Sequence, residues 1–277
     1  MKRRLIQLCA ALLYNLNLKG FAEASIYKGR SKGLCVPGLN CYSCPGAVGS
    51  CPLGTLQNAL SAMDRKLPFY ILGVLLLFGV TMGRTICGFL CPFGLVQELL
   101  YRIPVPKIKK NRVTQELSKV KYVILAVFVI ILPVVFKAAS GLPVPAFCKY
   151  ICPAGTLEGG IPLVLLDDSL SGLAGALFHW KVLVLAVILV SACFLYRSFC
   201  RILCPLGAIY SLFAPVALLG VRIDRDTCVD CGRCVRTCKM DVRQVGDREC
   251  IQCGECMKEC NVDAIYWKKP WNVNGKI

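Results

Sequence analysis

The sequence predicts an α-helical membrane protein of about four spans, built from inverted repeats, with a small α+β domain after it. Three observations predict this. The hydrophobic set makes up 56% of 277 residues against 18% charged, and mean hydropathy is +0.60, too oily for a soluble domain. Apolar runs of near-membrane length recur up to Tyr196. Most of the twenty cysteines stand in two spacings, one repeated through the apolar part and the other confined to the C-terminal part. A single histidine, His179, excludes bis-histidine haem and multi-histidine copper or zinc sites.

Three runs are candidate spans: Leu67–Gly83, Val120–Phe136 and Val182–Tyr196. Each reaches about 25 Å, slightly short of a hydrocarbon core unless the flanks snorkel. Arg65 and Lys66, Lys121, and Lys181 with Trp180 stand at their ends as expected anchors. Leu5–Leu18 follows Met1-Lys2-Arg3-Arg4 like a signal-peptide core, but no convincing small-residue cleavage site follows it. It reads as a retained first span. The basic loop Arg102–Lys121, with Glu116 its one acid, belongs on the cytoplasmic side. Two further crossings put the C-terminal domain there too. Basic residues in Lys19–Lys66 then lie outside, against the charge rule, which long loops obey poorly.

The same phrase follows each crossing. It reads Cys51-Pro-Leu-Gly-Thr-Leu-Gln, Cys91-Pro-Phe-Gly-Leu-Val-Gln, Cys152-Pro-Ala-Gly-Thr-Leu-Glu and Cys204-Pro-Leu-Gly-Ala-Ile-Tyr. In the last three copies a cysteine stands four residues earlier: Cys87, Cys148 and Cys200. The first copy has Ala47 there and offers Cys35, Cys41 and Cys44 instead. These are four units of helix, cysteine pair and short amphipathic segment. Pro92–Pro106 and Pro205–Gly220 are equivalent, so neither spans.

Consecutive units point in opposite directions. Units two and four bring Cys87, Cys91, Cys200 and Cys204 to the inner side, enough thiolates for one cubane cluster. An outer cluster draws on Cys35, Cys41, Cys44, Cys51, Cys148 and Cys152, six candidates for four positions. Two are surplus or belong to a second cofactor. The proline fixes φ, the glycine permits close approach, and nearby amides can tune cluster sulfurs. Packing as a small hydrophobe suits Cys9 and Cys193, and a structural disulfide stays open among the outer six.

The C-terminal spacing is specific. Cys228-x2-Cys231-x2-Cys234-x3-Cys238 precedes Cys250-x2-Cys253-x2-Cys256-x3-Cys260, the pattern of a bacterial-type ferredoxin with two [4Fe–4S] clusters. The fourth cysteine of each run crosses over. One cluster takes Cys228, Cys231, Cys234 and Cys260; the other takes Cys250, Cys253, Cys256 and Cys238. Lys239 and Asn261 replace the usual proline after each fourth cysteine. The domains are therefore 1–220, the membrane part, and 221–277, a cytoplasmic ferredoxin domain. Four clusters at roughly −2 each reduce the formal charge of +17 to about +9. That residue of charge fits cytoplasmic loops rather than a nucleic-acid surface.

On these residues the chain resembles the NapH/NosR type of membrane iron–sulfur protein over nearly its whole length; the Cys35–Cys51 group departs from that pattern. The resemblance implies an electron-transfer subunit in the inner membrane, passing electrons between a quinone pool or cytoplasmic donors and an outer-side acceptor. The acceptor is often a flavin-bearing subunit, and flavin enters only through such a partner. Two other readings compete. A quinol dehydrogenase needs a proton acceptor near the interface, and Glu98, Glu158, Asp167, Asp168 and His179 are the candidates. Against that, Asp167–Asp168 reads as a solvated loop and His179 beside Trp180 as an interfacial anchor. A metal-maturation or redox-sensing protein would instead expose exchangeable clusters.

Overall fold

A computed structural model describes residues 2–61, 69–108, 110–167, 169, 172 and 174–268. Arg65, Lys66, the Leu67 end of the first long run, Asp168 and 269–277 lie outside the described residues. The described chain is mostly helical, with one antiparallel strand pair, Gly220–Ile223 against Ile265–Lys268.

Among the described residues two helices are long and apolar enough to cross a membrane. They are Arg112–Ser140, of 29 residues, and Ala176–Phe194, of 19 residues. The first carries a π-helical stretch, Leu125–Ile131, just ahead of Pro133. Proline donates no N–H and crowds the preceding turn, and the wider turn accommodates it. The other two expected spans are shorter. Phe69–Thr81 and Lys2–Tyr14 have 13 residues each, about 20 Å of helix. The expected run Leu5–Leu18 ends early because asparagines tie its tail to a loop. Asn15 Nδ2 donates to Asn40 Oδ1 at 2.9 Å, and Asn17 Nδ2 to the Pro45 carbonyl at 2.9 Å.

An apolar core encloses buried cations, and the outer surface is apolar too. Leu5, Leu12, Leu76, Val123, Leu183 and Val187 are exposed, whereas Arg84, Arg197, Arg201 and Lys121 are fully buried. Lys121, expected as a membrane-end anchor, instead reaches Glu249 at 2.6 Å. Cys9, expected to pack as a hydrophobe, faces outward, while Cys193 is half-buried with Sγ 3.5 Å from the Leu189 carbonyl.

The segments after motifs two and four are indeed equivalent. Pro92–Leu100 and Pro205–Phe213 are both nine-residue helices with proline in the first turn. Each is too short to span.

Candidate metal centres

The repeat builds its own scaffold. In unit two, the buried Gln97 amide donates to the Phe93 carbonyl at 3.3 Å and to Cys200 Sγ at 3.1 Å. Its Oε1 accepts the Phe199 N–H at 3.0 Å. Unit one repeats this. Gln57 donates to the Leu53 carbonyl and to Cys148 Sγ, both at 3.3 Å, and accepts the Phe147 N–H at 2.9 Å. Unit two is thereby keyed to unit four, and unit one to unit three. Leaving such a buried donor unmade costs about 1–3 kcal/mol, so these two amides fix the pairing.

The keying gathers the inner cysteines. Cys87, Cys91, Cys200 and Cys204 lie within electrostatic reach of one another, and the last three are buried. A motif glycine contributes its amide: the Gly207 N–H donates to Cys204 Sγ at 3.3 Å.

Two arginines repeat here as well. Arg84 and Arg197 each stand three residues before the first cysteine of their unit. Arg197 lies within 3.2 Å of a Cβ built on Gly94, and Arg84 within 3.5 Å of one on Gly207. Each therefore covers the motif glycine of the other unit. Arg197 Nη1 also donates to the Cys87 carbonyl. Arg84 Nε and Nη2 are buried with no hydrogen-bond partner beside Cys87.

Two carboxylates balance these cations. Glu98 takes Arg3 at 2.7 Å, Arg197 at 2.7 Å and the Tyr196 hydroxyl at 2.8 Å. Glu249 takes Arg84 at 3.1 Å and Lys121. Burial alone would raise the Glu98 carboxyl, but Arg3, Arg197 and Tyr196 hold it down at about 2. Burial opposes ionisation of Glu249 too, and Arg84 and Lys121 outweigh it. Four cations against two carboxylates leave a surplus of about two charges, which matches a thiolate-bound [4Fe–4S] cluster at roughly −2. Orphaned donors, surplus positive charge and four thiols fit that group. Glu98, held ionised, is unsuited to accept a quinol proton at neutral pH.

The outer six cysteines divide. Cys41, Cys51, Cys148 and Cys152 line one cavity of about 300 Å³; Cys35 and Cys44 do not. Cys41 takes the place that Ala47 leaves empty in the repeat. A Cβ on Gly159 would sit 3.5 Å from Cys41 Sγ, and one on Gly155 would sit 3.8 Å away. The Gly155 N–H donates to Cys152 Sγ at 3.4 Å. Of the surplus pair, Cys35 Sγ lies 3.6 Å from Thr55 Oγ1, and Cys44 is buried. Glu158 accepts the Cys41 N–H at 2.7 Å. Asp167 accepts the Ser169 N–H at 2.9 Å, and His179 is exposed with its ring against the Gly175 carbonyl.

The C-terminal cysteines fall into two groups, each with one member from the other run. Cys228, Cys231, Cys234 and Cys260 line a cavity of about 420 Å³. Cys238, Cys250, Cys253 and Cys256 line another of about 210 Å³. Among the described residues no three His, Cys, Asp or Glu side chains converge on a single ion. The two C-terminal quartets line cavities instead, with room for more than one ion.

This last quartet abuts the inner one. A Cβ on Gly88 would stand 2.4 Å from the Ile251 carbonyl and 3.9 Å from the Cys253 amide, so only glycine admits this approach. Cys87, Cys238, Cys250 and Cys253 pack against one apolar cluster of Tyr196, Met240, Val242 and Ile251.

Four successive segments, residues 50–70, 67–111, 122–161 and 176–223, match the family model described as a 4Fe-4S binding domain, together over half the chain. The chain belongs to this 4Fe-4S binding family. The matched segments follow the four repeat units. An uncharacterized protein of Methanocaldococcus jannaschii, MJ0750, is 29% identical over 61% of this chain and 64% of its own. The putative electron transport protein YccM of Escherichia coli is 23% identical over 70% of this chain and 54% of its own. The methylamine utilization ferredoxin-type protein MauN of Paracoccus denitrificans is 26% identical over 70% and 62%. The chain thus spans between about half and just under two thirds of these relatives. No solved structure matches.

Sequence reasoning missed Gln57, Gln97, Arg84 and Arg197. The signal was present: the glutamines close the seven-residue phrase in two units, and the arginines precede two cysteine pairs at one interval.

Proposed function

We propose that this chain is an iron–sulfur electron-transfer subunit that passes electrons across the membrane between a cytoplasmic redox partner and an outer-side one. Four cysteine quartets hold its clusters, each of which supplies one-electron transfer when bound. The observation that carries the reading is their contiguity. Gly88 brings the inner quartet against Ile251–Cys253, and Cys51, Cys91, Cys152, Cys200 and Cys204 belong to one buried core. About 25 Å of helix is too far for one tunnelling step; the shared core supports shorter ones.

The printed names of YccM and MauN, electron transport and ferredoxin-type, agree with this reading. So does the NapH/NosR resemblance, which adds a quinone or a flavin-bearing subunit as partner. Membrane placement rests on the two long apolar helices and the outward-facing leucines. The Arg3–Glu255 contact at 3.4 Å puts the N-terminus beside the ferredoxin part, in keeping with both termini being cytoplasmic.

Protein purified without oxygen should hold about sixteen iron atoms per chain, with matching sulfide. Saturation near eight would leave the membrane quartets empty and overturn the relay. Reporter fusions at Ser140 and after Ile277 should report opposite sides; agreement would overturn the orientation.

A further inference from the structure

The inverted repeat supplies its own comparison. The inner and outer quartets receive the same hydrogen bonds. Gln97 donates to Cys200 Sγ at 3.1 Å where Gln57 donates to Cys148 Sγ at 3.3 Å. The Gly207 N–H reaches Cys204 Sγ at 3.3 Å where the Gly155 N–H reaches Cys152 Sγ at 3.4 Å. The charge around the two quartets differs. Three residues before Cys87 and Cys200 stand Arg84 and Arg197, both fully buried; three before Cys41 and Cys148 stand Gly38 and Pro145. Among the described residues Arg201 is the remaining fully buried arginine, and Asp241 neutralises it. The lysines lining the outer cavity, Lys149 and Lys181, are only half-buried, where solvent weakens a charge. Glu158, which accepts the Cys41 N–H, adds no positive charge there.

Arg84 is held at the inner quartet by one nitrogen. Its Nη1 donates to the Arg248 carbonyl at 2.8 Å and to Glu249 at 3.1 Å, just ahead of Cys250. Its Nε and Nη2 are buried and unpartnered. A Cβ built on Gly207 would stand 3.5 Å from Arg84 Nη2 and 3.6 Å from Cys204 Cβ, so the free edge of the guanidinium lies against the turn that carries Cys204. Arg197 stands over the matching turn of unit two, 3.2 Å from a Cβ on Gly94, and donates to the Cys87 carbonyl. Its backbone is left-handed, with φ +52°, a conformation that costs a residue with a side chain energy and persists only where the surroundings impose it.

We propose that Arg84 and Arg197 set the potential of the inner centre above that of the outer one, with Arg84 Nε and Nη2 as donors to the bound cluster. The inference rests on the proposed function, since it needs a cluster in each quartet. One-electron reduction adds a negative charge to the site and neither forms nor breaks a bond. Buried positive charge beside it favours that reduced state, and the low dielectric strengthens the effect. Arginine stays protonated at any working pH, so the bias is permanent. An electron shared between the two membrane-part centres therefore rests at the inner one.

The test is an EPR-monitored redox titration of the full chain, prepared anaerobically, with iron counted for each variant. Loss in Cys204→Ser identifies the inner centre, and loss in Cys152→Ser the outer one. In wild type the inner centre should be reduced at the higher potential. Arg84→Gln removes the charge and should lower the inner potential while leaving the outer one unmoved. Arg84→Lys restores the charge and should recover most of that shift. If Arg84→Gln loses iron, the wild-type order decides. An outer centre at or above the inner one in wild type with full iron would overturn the inference while leaving the relay intact. An unmoved inner centre in Arg84→Gln with full iron would do the same. Wild type near eight iron would overturn the relay itself.

Discussion

Replacement of Cys87 or of Cys204 by serine is expected to remove or convert the same cluster, although the two residues come from different repeat units. Iron should fall from about sixteen toward about twelve per chain in either variant. Each variant should still accept electrons at the ferredoxin end and fail to deliver them to the outer side. The double variant should be no worse than either single, because both changes act on one centre. EPR and iron analysis of the three variants, with transfer measured across proteoliposomes, checks all of this. Additive losses from two distinct centres would refute the shared quartet and the path through it.

The expectation follows from the keying of the repeats. Gln97 fixes Phe199 and Cys200 against its own helix, which begins at Pro92 just after Cys91, so the two cysteine pairs face each other as a unit. Arg84 and Arg197 then close the site from each side. A serine oxygen at one corner is a weaker iron ligand than thiolate, and the other three corners stay held by the surrounding helices. The two C-terminal quartets, between 228 and 260, lie outside this site, and their signals should be kept.

Spacing arithmetic carried much of this site. The crossover in the C-terminal runs, the pairing of units two and four, and the two short helices after their motifs all follow from local pattern. What spacing could not show is which of six outer cysteines share a cavity. Between Cys35 and Cys51 the chain makes an irregular loop, and only its fold brings Cys41 to where the repeat has Ala47. Lys121 was misread for a related reason. A basic residue at the end of an apolar run is normally a solvated anchor, yet its partner Glu249 lies 128 residues away. The first span was overestimated because asparagine side chains ending a helix look, by composition, like a mild interruption.

Glu98 carries the other large expected effect. Its side chain is 1% exposed and meets Arg3, Arg197 and Tyr196, so it joins the N-terminal helix to units two and four. Glu98→Leu would leave Arg197 without its counter-charge and Arg3 with only the exposed Glu255, and removing one partner of a buried pair costs about 3–5 kcal/mol. Glu98→Gln should cost less, because its amide oxygen still accepts from Tyr196 and Arg197. The pH dependence has a definite sign. The carboxyl is held at about 2 against an ordinary 4.5, so its contribution is complete above 4.5 and is lost as pH falls toward 2. The advantage of wild type over Glu98→Gln should therefore shrink across that window and stay constant above it. Denaturant unfolding in detergent, with proteolysis of the first helix as a second readout, measures both effects. A Glu98→Leu protein within about 0.5 kcal/mol of wild type, its first helix still protected, would show that apolar packing rather than this ion cluster holds the N-terminal helix.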